Sequence, residues 1–572
     1  MKILGMNQDG HNSSLALVED GKILFAAVEE RFNREKHTTK FPFGALKHVL
    51  KDHPWDTIDH VALGWNSMAN AASRRRGFMD RRWKPESLYQ VPMKLEMVLG
   101  LVHPEWTHSL LNYGDAGKVS VYFLDHHLCH AASVVYPSGF TDCAFLSVDA
   151  LGERHSVCIG MFDDGRLKVL QKTDFPMSPG IVYGSVTEYL GFRFNEDEWK
   201  VMALGTTRPP TLRAAEYAEE FAKILSMNPD GTVRVDLKYF EYGLDRVNVF
   251  SKYMESKFGP ARKKNPDAPI EDHHIDVAYG VQKAFEHLMV DLARWTARQT
   301  GKKYLALAGG CVMNCVANAL VEQSGFFSDV YIGGWPSDEG TALGAPFYLA
   351  TQILGEKWVP SRVEHSSFGR SFSDASIKEL LVRLGVKHSQ MEAAVLQDAV
   401  TDRLMDGEVI GLFEGMEEFG PRALGHRSIL ADPGRPDMKA RVNAKIKYRE
   451  AFRPFAPSVL IEEAAKWFQL GKIVEAPFME KTVSVWPDKA KQIPAVLHFD
   501  NTARIQTVAR ESHPFYYDLI QRFFGKTGVP MVLNTSFNLA GEPIVSSPED
   551  ALRTFITSGL DALVLGSFLI TK

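Results

Sequence analysis

The pattern that most limits the fold is a hairpin written twice. Residues 13–24 read as a strand, an Asp20-Gly21 turn and a second strand, and residues 156–167 read the same way around Asp164-Gly165. Asp-Gly between apolar runs favours a tight two-residue turn, because glycine accepts the positive φ that this turn requires. Each hairpin follows a short apolar strand, at 3–6 or 145–148, and a polar loop with a histidine, His11 or His155. Two copies of one unit predict two related lobes around a cleft. Unrelated hairpins are the plain alternative, since such turns are frequent.

The densest run of metal-ligating residue types is Asp125-His126-His127-Leu128-Cys129-His130. It follows an apolar stretch, 119–124, that reads as a buried strand, and it opens a stretch that reads as a helix. His126 and His130 then stand about one helical turn apart and leave the same face. Asp149 follows at the end of another strand, and Asp338 lies downstream in Gly334-Trp335-Pro336-Ser337-Asp338. Two neutral imidazoles with two carboxylates suit a divalent transition metal. The spacing of the histidines alone is common and needs no ligand.

A chain of 572 residues exceeds one ordinary core, so at least two domains are expected. The polar stretch 355–374 reads as a linker and sets the division at 1–355 and 356–572. The formal net charge of -5 supplies no global field for nucleic acid. Five cysteines without a CxxC pair argue against a disulfide framework and against a zinc ribbon. No signal-peptide pattern and no long apolar run is present, so a cytoplasmic protein without a membrane partner is expected. The basic run at 74–84 reads as a solvated loop, with an anionic contact as the minority reading.

Past the linker, cations stand between apolar residues. The segments are Gly420-Pro421-Arg422-Ala423-Leu424-Gly425-His426-Arg427-Ser428, then Lys447-Tyr448-Arg449-Glu450-Ala451-Phe452-Arg453-Pro454-Phe455, then Arg504, then Asn534-Thr535-Ser536-Phe537-Asn538. Partly buried cations need carboxylates or bound anions. Acid pairs would serve any one of them; a cluster beside Asn, Thr and Ser donors favours a polyphosphate. Upstream, Gly309-Gly310 ends a strand before a helix, a place where backbone approaches an anion closely, although a tight turn needs no more than this.

Together with Glu29-Glu30-Arg31-Phe32-Asn33-Arg34-Glu35-Lys36-His37 and Asp197-Glu198-Trp199-Lys200-Val201-Met202, these motifs resemble the O-carbamoyltransferases of natural-product biosynthesis, the family of nodulation-factor and aminoglycoside carbamoylation. The resemblance covers nearly the whole chain. It implies an α/β protein: an actin-like ATPase domain of duplicated ribonuclease-H-like halves, like the tRNA threonylcarbamoyl-transferase subunit, then an α+β domain like the threonylcarbamoyl-adenylate-forming enzyme. It implies ATP, with Mg2+, and carbamoyl phosphate as substrates, carbamoyl adenylate as intermediate, and a small-molecule hydroxyl acceptor. Arg422, Lys447, Arg449 and Arg504 would neutralise the phosphates, with Asn534 and Ser536 as hydrogen-bonding partners and Gly309, Gly310 and Asn314 at the nucleotide. An iron-type metal, Fe(II) or a similar divalent ion, maps onto His126, His130, Asp149 and Asp338. His11 matches a candidate general base, with Lys36 holding an anion; His11 orienting a loop and Lys36 pairing with Glu29 or Glu30 remain open.

Three positions depart from the family pattern. Asn12 stands where Asp is frequent, Met202-Ala203-Leu204-Gly205 replaces Met-Gly-Leu-Ala, and Asn501 replaces a common Gly. A tRNA threonylcarbamoyl transferase would want a basic surface, and a hydrogenase-maturation carbamoyltransferase an acylphosphatase domain with zinc modules. A nucleotide-binding protein without turnover would not need both sites. The acceptor and the oligomeric state are left open.

Overall fold

The computed structural model describes residues 1–8, 11–66, 106–112, 118–242, 249–265, 267–450 and 452–572. The basic run at 74–84 lies outside them.

Two sheets share one strand order. The first runs Lys22–Val28, Ser14–Glu19, Lys2–Asn7, His60–Leu63, Lys118–Leu124, with Trp106–Asn112 added at the edge. The second runs Arg166–Asp174, His155–Asp163, Asp142–Val148, Tyr304–Ala308, Asp329–Tyr331. Each begins with an antiparallel meander and continues with parallel strands. This is the ribonuclease-H-like order, present twice, as the repeated hairpin predicts. The two turns match in conformation as well. Asp20 and Gly21 have φ of 49° and 76°, and Asp164 and Gly165 have 45° and 77°, the paired positive values of a type I′ turn.

Two helices lie between these sheets, His126–Val135 and Glu339–Tyr348, and every residue of both is buried. They touch at Gly344, where a Cβ would run into Cys129 O, and the second helix meets the strand Lys2–Asn7 at Gly5, where a Cβ would run into Ala342 O. Only glycine permits these approaches.

The third sheet has ten strands of mixed direction, from Ser389–Gln390 through Ile410–Phe413, Arg427–Ala431, Met531–Ser536, Ala456–Leu460 and Thr502–Val508 to Phe468–Gln469. Separate apolar cores fill its two faces, one beneath Asp374–Arg383 and Pro548–Thr557, the other beneath Ala393–Met405 and Pro514–Thr527. The parallel pair Ile410–Phe413 and Ala562–Leu565 is buried at every residue and reads as two unbroken apolar runs.

The stretch read as a linker is tied down on both sides. Phe368 O accepts from Ala26 N at 3.0 Å, Gly369 N donates to Glu417 O at 2.9 Å and Phe419 N to Ser366 O at 2.7 Å. Among the described residues no helix is long and apolar enough to cross a membrane.

Candidate functional site

The first centre forms where the two buried helices begin. Asp125 caps the helix His126–Val135, accepting from Leu128 N at 3.0 Å, so His126 and His130 sit on its first two turns. Asp338 stands at the N-cap position of the helix Glu339–Tyr348, without a side-chain capping bond, and Asp149 follows the strand Asp142–Val148. The structure brings all four together, with one donor atom from each within 4.8 Å of the others. Asp149 Oδ2 lies 3.1 Å from His126 Nε2 and 3.2 Å from His130 Nε2, and Asp338 Oδ1 lies 3.7 Å from each.

The two Nε2 atoms are 3.1 Å apart. Bare lone pairs at that distance repel, so the pair needs a proton or a cation between its members. Burial opposes charge on His126, but the hydrogen bond it donates to Asp149 and the carboxylates of Asp338 and Glu153 outweigh it and raise its pKa to about 10. A divalent ion would replace that proton. Donors about 2.1 Å from one ion in adjacent positions stand about 3–3.4 Å apart, close to the spacing here.

The outer atoms are held as metal ligands require. His126 Nδ1 donates to Gly64 O at 3.0 Å, which leaves Nε2 as its free acceptor. Asp149 Oδ1 accepts from Ala150 N at 2.7 Å and Gly310 N at 3.1 Å. Asp338 Oδ2 accepts from His11 N at 3.0 Å. His130 Nδ1 is buried without a partner, the one outer atom of the four residues left unsatisfied among the described residues. The donor set fits a divalent transition metal.

Gly309 and Gly310 serve this centre. Gly309 has φ 98°, and a Cβ there would run into Val148 O; a Cβ on Gly310 would stand 2.8 Å from Asp149 Oδ1. Asn314 caps the helix Cys315–Gln323 and exchanges amide hydrogen bonds with Gln282 at 2.9 and 3.1 Å. Glu153 is a residue that sequence reasoning missed. Its Oε1 accepts from Asn66 N at 2.6 Å and His126 N at 3.1 Å, and burial beside Asp125 raises its pKa to about 7. The sequence carried no signal for it, since it stands 27 residues from His126 and just before a strand.

His11 stacks on His37 with ring centroids 4.8 Å apart. Burial and the neighbouring His11 lower the His37 pKa to about 4, so His37 is neutral near pH 7 and its Nδ1 pairs with Asn12 Oδ1 at 2.9 Å. Asn12 therefore orients His37 rather than His11. Lys36 reaches solvent from a recess crowded with protein atoms; burial lowers its pKa, and Arg453 and Arg193 lower it further, against Glu30. It makes no ion pair with Glu29 or Glu30. Glu29 accepts instead from Gly44 N and Ala45 N, and Glu30 from His37 N.

The second centre gathers Arg422, Lys447, Arg449, Arg453 and Arg504. Burial lowers the Arg422 pKa to about 9, with Arg504 adding to the effect and Cys315 and Glu339 opposing it. Burial, then Arg453 and Arg504, lowers Arg449, and burial lowers Arg504. Among the described residues neither Arg422 nor Arg504 has a carboxylate within ion-pair distance, whereas Arg453 has Glu450 at 3.5 Å. Like charges that share a partly buried place with so few acids suit a bound anion.

Lys447 differs from the arginines. Its ammonium meets Ser536 O at 2.5 Å, Asn538 Oδ1 at 2.6 Å, Asn538 O at 3.1 Å and Ser536 Oγ at 3.2 Å. It ties the turn after Met531–Ser536 to the segment 443–447. Asn534 points into the sheet, where its Nδ2 donates to Ser458 Oγ at 3.0 Å and Ala423 O at 3.2 Å.

The loop that carries Arg422 is fixed by buried polar groups. Glu418 Oε1 accepts from Leu424 N, His426 N and Arg427 N at 2.8, 2.9 and 3.2 Å, and Gln506 Nε2 donates to Leu424 O at 2.8 Å. Gln506 was also missed, although it lies two residues beyond Arg504 on the same face of one strand. A further group, Glu414, His426 and His513, has metal-ligating types within reach. The rings of His426 and His513 stack at 3.8 Å and 10°, so their lone pairs run parallel and do not converge on an ion.

Family models described as Carbamoyltransferase N-terminus and Carbamoyltransferase C-terminus match residues 2–347 and 401–572. The Nodulation protein NolNO of Sinorhizobium fredii is 35% identical over 98% of this chain and 79% of its own. The Uncharacterized protein sll1178 of Synechocystis sp. is 33% identical over 100% of this chain and 96% of its own. A solved HypF of T. kodakarensis aligns over 62% of this chain at 12% identity and TM-score 0.32, and the match spans 48% of that chain, under two thirds.

Proposed function

The chain belongs to the carbamoyltransferase family and is an enzyme of carbamoyl transfer, and from this we propose an ATP-dependent O-carbamoyltransferase working in two steps. Residues 356–572 form carbamoyl adenylate, and residues 1–355 pass the carbamoyl group to a hydroxyl of a small molecule. In the first step water hydrolyses carbamoyl phosphate to carbamate and free phosphate, an oxygen of the carbamate then attacks the α-phosphorus of ATP, and pyrophosphate leaves. In the second the acceptor oxygen attacks the carbamoyl carbon, its proton goes to a base and AMP leaves.

The observation that carries this reading is the set of arginines without acids. Carbamate and ATP are both anionic, so their approach needs fixed positive charge. Arg422, Arg449 and Arg504 supply it at positions held by the surrounding backbone, and Lys447 holds the Ser536–Asn538 turn against them. A divalent ion on His126, His130, Asp149 and Asp338 would supply Lewis acidity for the transfer step. His11, suspended from Asp338 through its backbone amide, is the base we assign for the acceptor proton. Lys36 holds the leaving phosphate of AMP. Five free cysteines accord with a cytoplasmic setting.

The test is pyrophosphate release from ATP by purified protein, with and without carbamoyl phosphate and in the absence of acceptor. Release that depends on carbamoyl phosphate is expected. Nucleotide binding without release under any acceptor would favour a nucleotide-binding protein instead.

A further inference from the structure

The two arginines of the motif Glu29-Glu30-Arg31-Phe32-Asn33-Arg34 have no part in either centre described above, yet both reach into the far unit. Arg31 is 2% exposed. Its Nη2 donates to Gly420 O at 2.9 Å and its Nε faces Glu417 Oε1 at 3.4 Å. Gly420 stands two residues before Arg422. Arg34 donates from Nη1 to Ile544 O at 2.6 Å and from Nη2 to Pro543 O at 2.9 Å, with Asp550 at 3.5 Å. That turn lies behind Asn538, whose Nδ2 donates to Glu542 O at 2.6 Å, and Asn538 is a partner of Lys447.

The short helix Glu30–Asn33, closed by Arg34 at φ 61°, aims the two guanidiniums at the two loops that border the cationic centre. Arg370 completes the contact from the strap, with its guanidinium 4.3 Å from the Phe32 ring centroid and bonded to Arg31 O at 3.3 Å. Gly420 has φ 116° and no room for a Cβ, which would run into Gly334 O. The Arg422 loop therefore rests on the segment leading to Asp338 and hangs from Arg31.

We propose that Arg31 and Arg34 are positioning residues for the adenylation step, supplied by the transfer unit: they fix the Arg422 loop and the Ser536–Asn538 turn at the distances that the triphosphate requires. The proposal rests on the two-step reading. A guanidinium suits the task because it donates to a carbonyl and faces a carboxylate at once, which an ammonium at the end of a lysine cannot do from the same place.

The test uses the full chain with Arg31→Lys, which keeps the charge facing Glu417 but not the fork. Arg34→Met is the second variant, and Arg362→Met is the control, since Arg362 bridges Asp329 and Glu475 elsewhere on the interface. Arg31→Lys and Arg34→Met are each expected to lower kcat for carbamoyl-phosphate-dependent pyrophosphate release about tenfold, as loose placement does. Both variants and the control leave partners without a donor and should melt below the parent, whereas kcat of the control should stay within about twofold of the parent. Amide exchange across 418–428 should quicken in the first variant and across 536–546 in the second. Unchanged exchange overturns the proposal whatever the activity, and so does an equal loss in the control. Should Arg34→Met fail to fold, Arg31→Lys decides alone. A parent protein that releases no pyrophosphate sinks the two-step reading, and the exchange data still decide whether the arginines fix the loops.

Discussion

At the residue scale, what separates the two centres is which side chains are spent and which are free. His130 offers Nε2 to the cluster and leaves Nδ1 unbonded, so His130→Ala removes a donor and breaks no side-chain hydrogen bond outside the cluster. Elemental analysis of that variant should show the metal lost, with acceptor-free pyrophosphate release retained; persisting metal would remove His130 from the ligand set. Arg504→Ala and Lys447→Ala should both abolish pyrophosphate release, but for different reasons. Arg504 has no carboxylate partner, so its variant should melt near the parent temperature. Lys447→Ala leaves buried oxygens of Ser536 and Asn538 unsatisfied and should cost about 1–3 kcal/mol in a denaturant titration. Equal stability of the two variants would contradict the latch assigned to Lys447. The sequence made the residue types of both centres legible, because the motifs quote them. It could not say that Asn314 is tied to Gln282, or Asn534 to Ala423 O, because both partners are distant in the chain.

At the element scale, the repeated Asp-Gly hairpins and the helix that opens at the His126 run were legible, since each follows a short-range pattern. The Gly344 contact was not, because a helix glycine shows its purpose only when the second helix is in place. Gly344→Ala should push His126–Val135 away from Glu339–Tyr348 and destabilise the chain by about 1–3 kcal/mol or more, with weaker metal retention because the two helices hold three of the four donors. The stack of His426 on His513 secures the end of the Arg422 loop. Burial, then repulsion from His426 and His365, holds His513 well below its usual pKa of 6.5; Glu414 also faces the pair at 3.6 Å from His426. A folded-state value below the unfolded one means that the stabilisation is complete above about pH 6.5 and is lost as pH falls beneath it. His513→Phe keeps the stack but loses the cap that His513 gives Tyr516 N. It should be about 1 kcal/mol less stable at pH 8 and show a shallower loss on acidification. A slope equal to that of the parent would exclude His513 as a source of the acid sensitivity.

At the scale of the whole molecule, the duplication in the first unit could be read from two turns, and the character of the second from its cations. The interface between them could not. The strap looked like a linker because its composition is polar, and its hydrogen bonds to Ala26 and Glu417 leave no trace in a local pattern. Arg31, 2% exposed, faces Glu417, 1% exposed. Each would be a bare charge in an apolar wall if its partner came from elsewhere, a loss of roughly 3–5 kcal/mol for a buried pair. The two units therefore behave as a single heritable block. A chimera joining residues 1–355 to the second unit of a relative should fold and turn over only where the relative supplies the acid opposite Arg31 and the carbonyl turn opposite Arg34, so recombination at the seam is confined to parents that already agree across it.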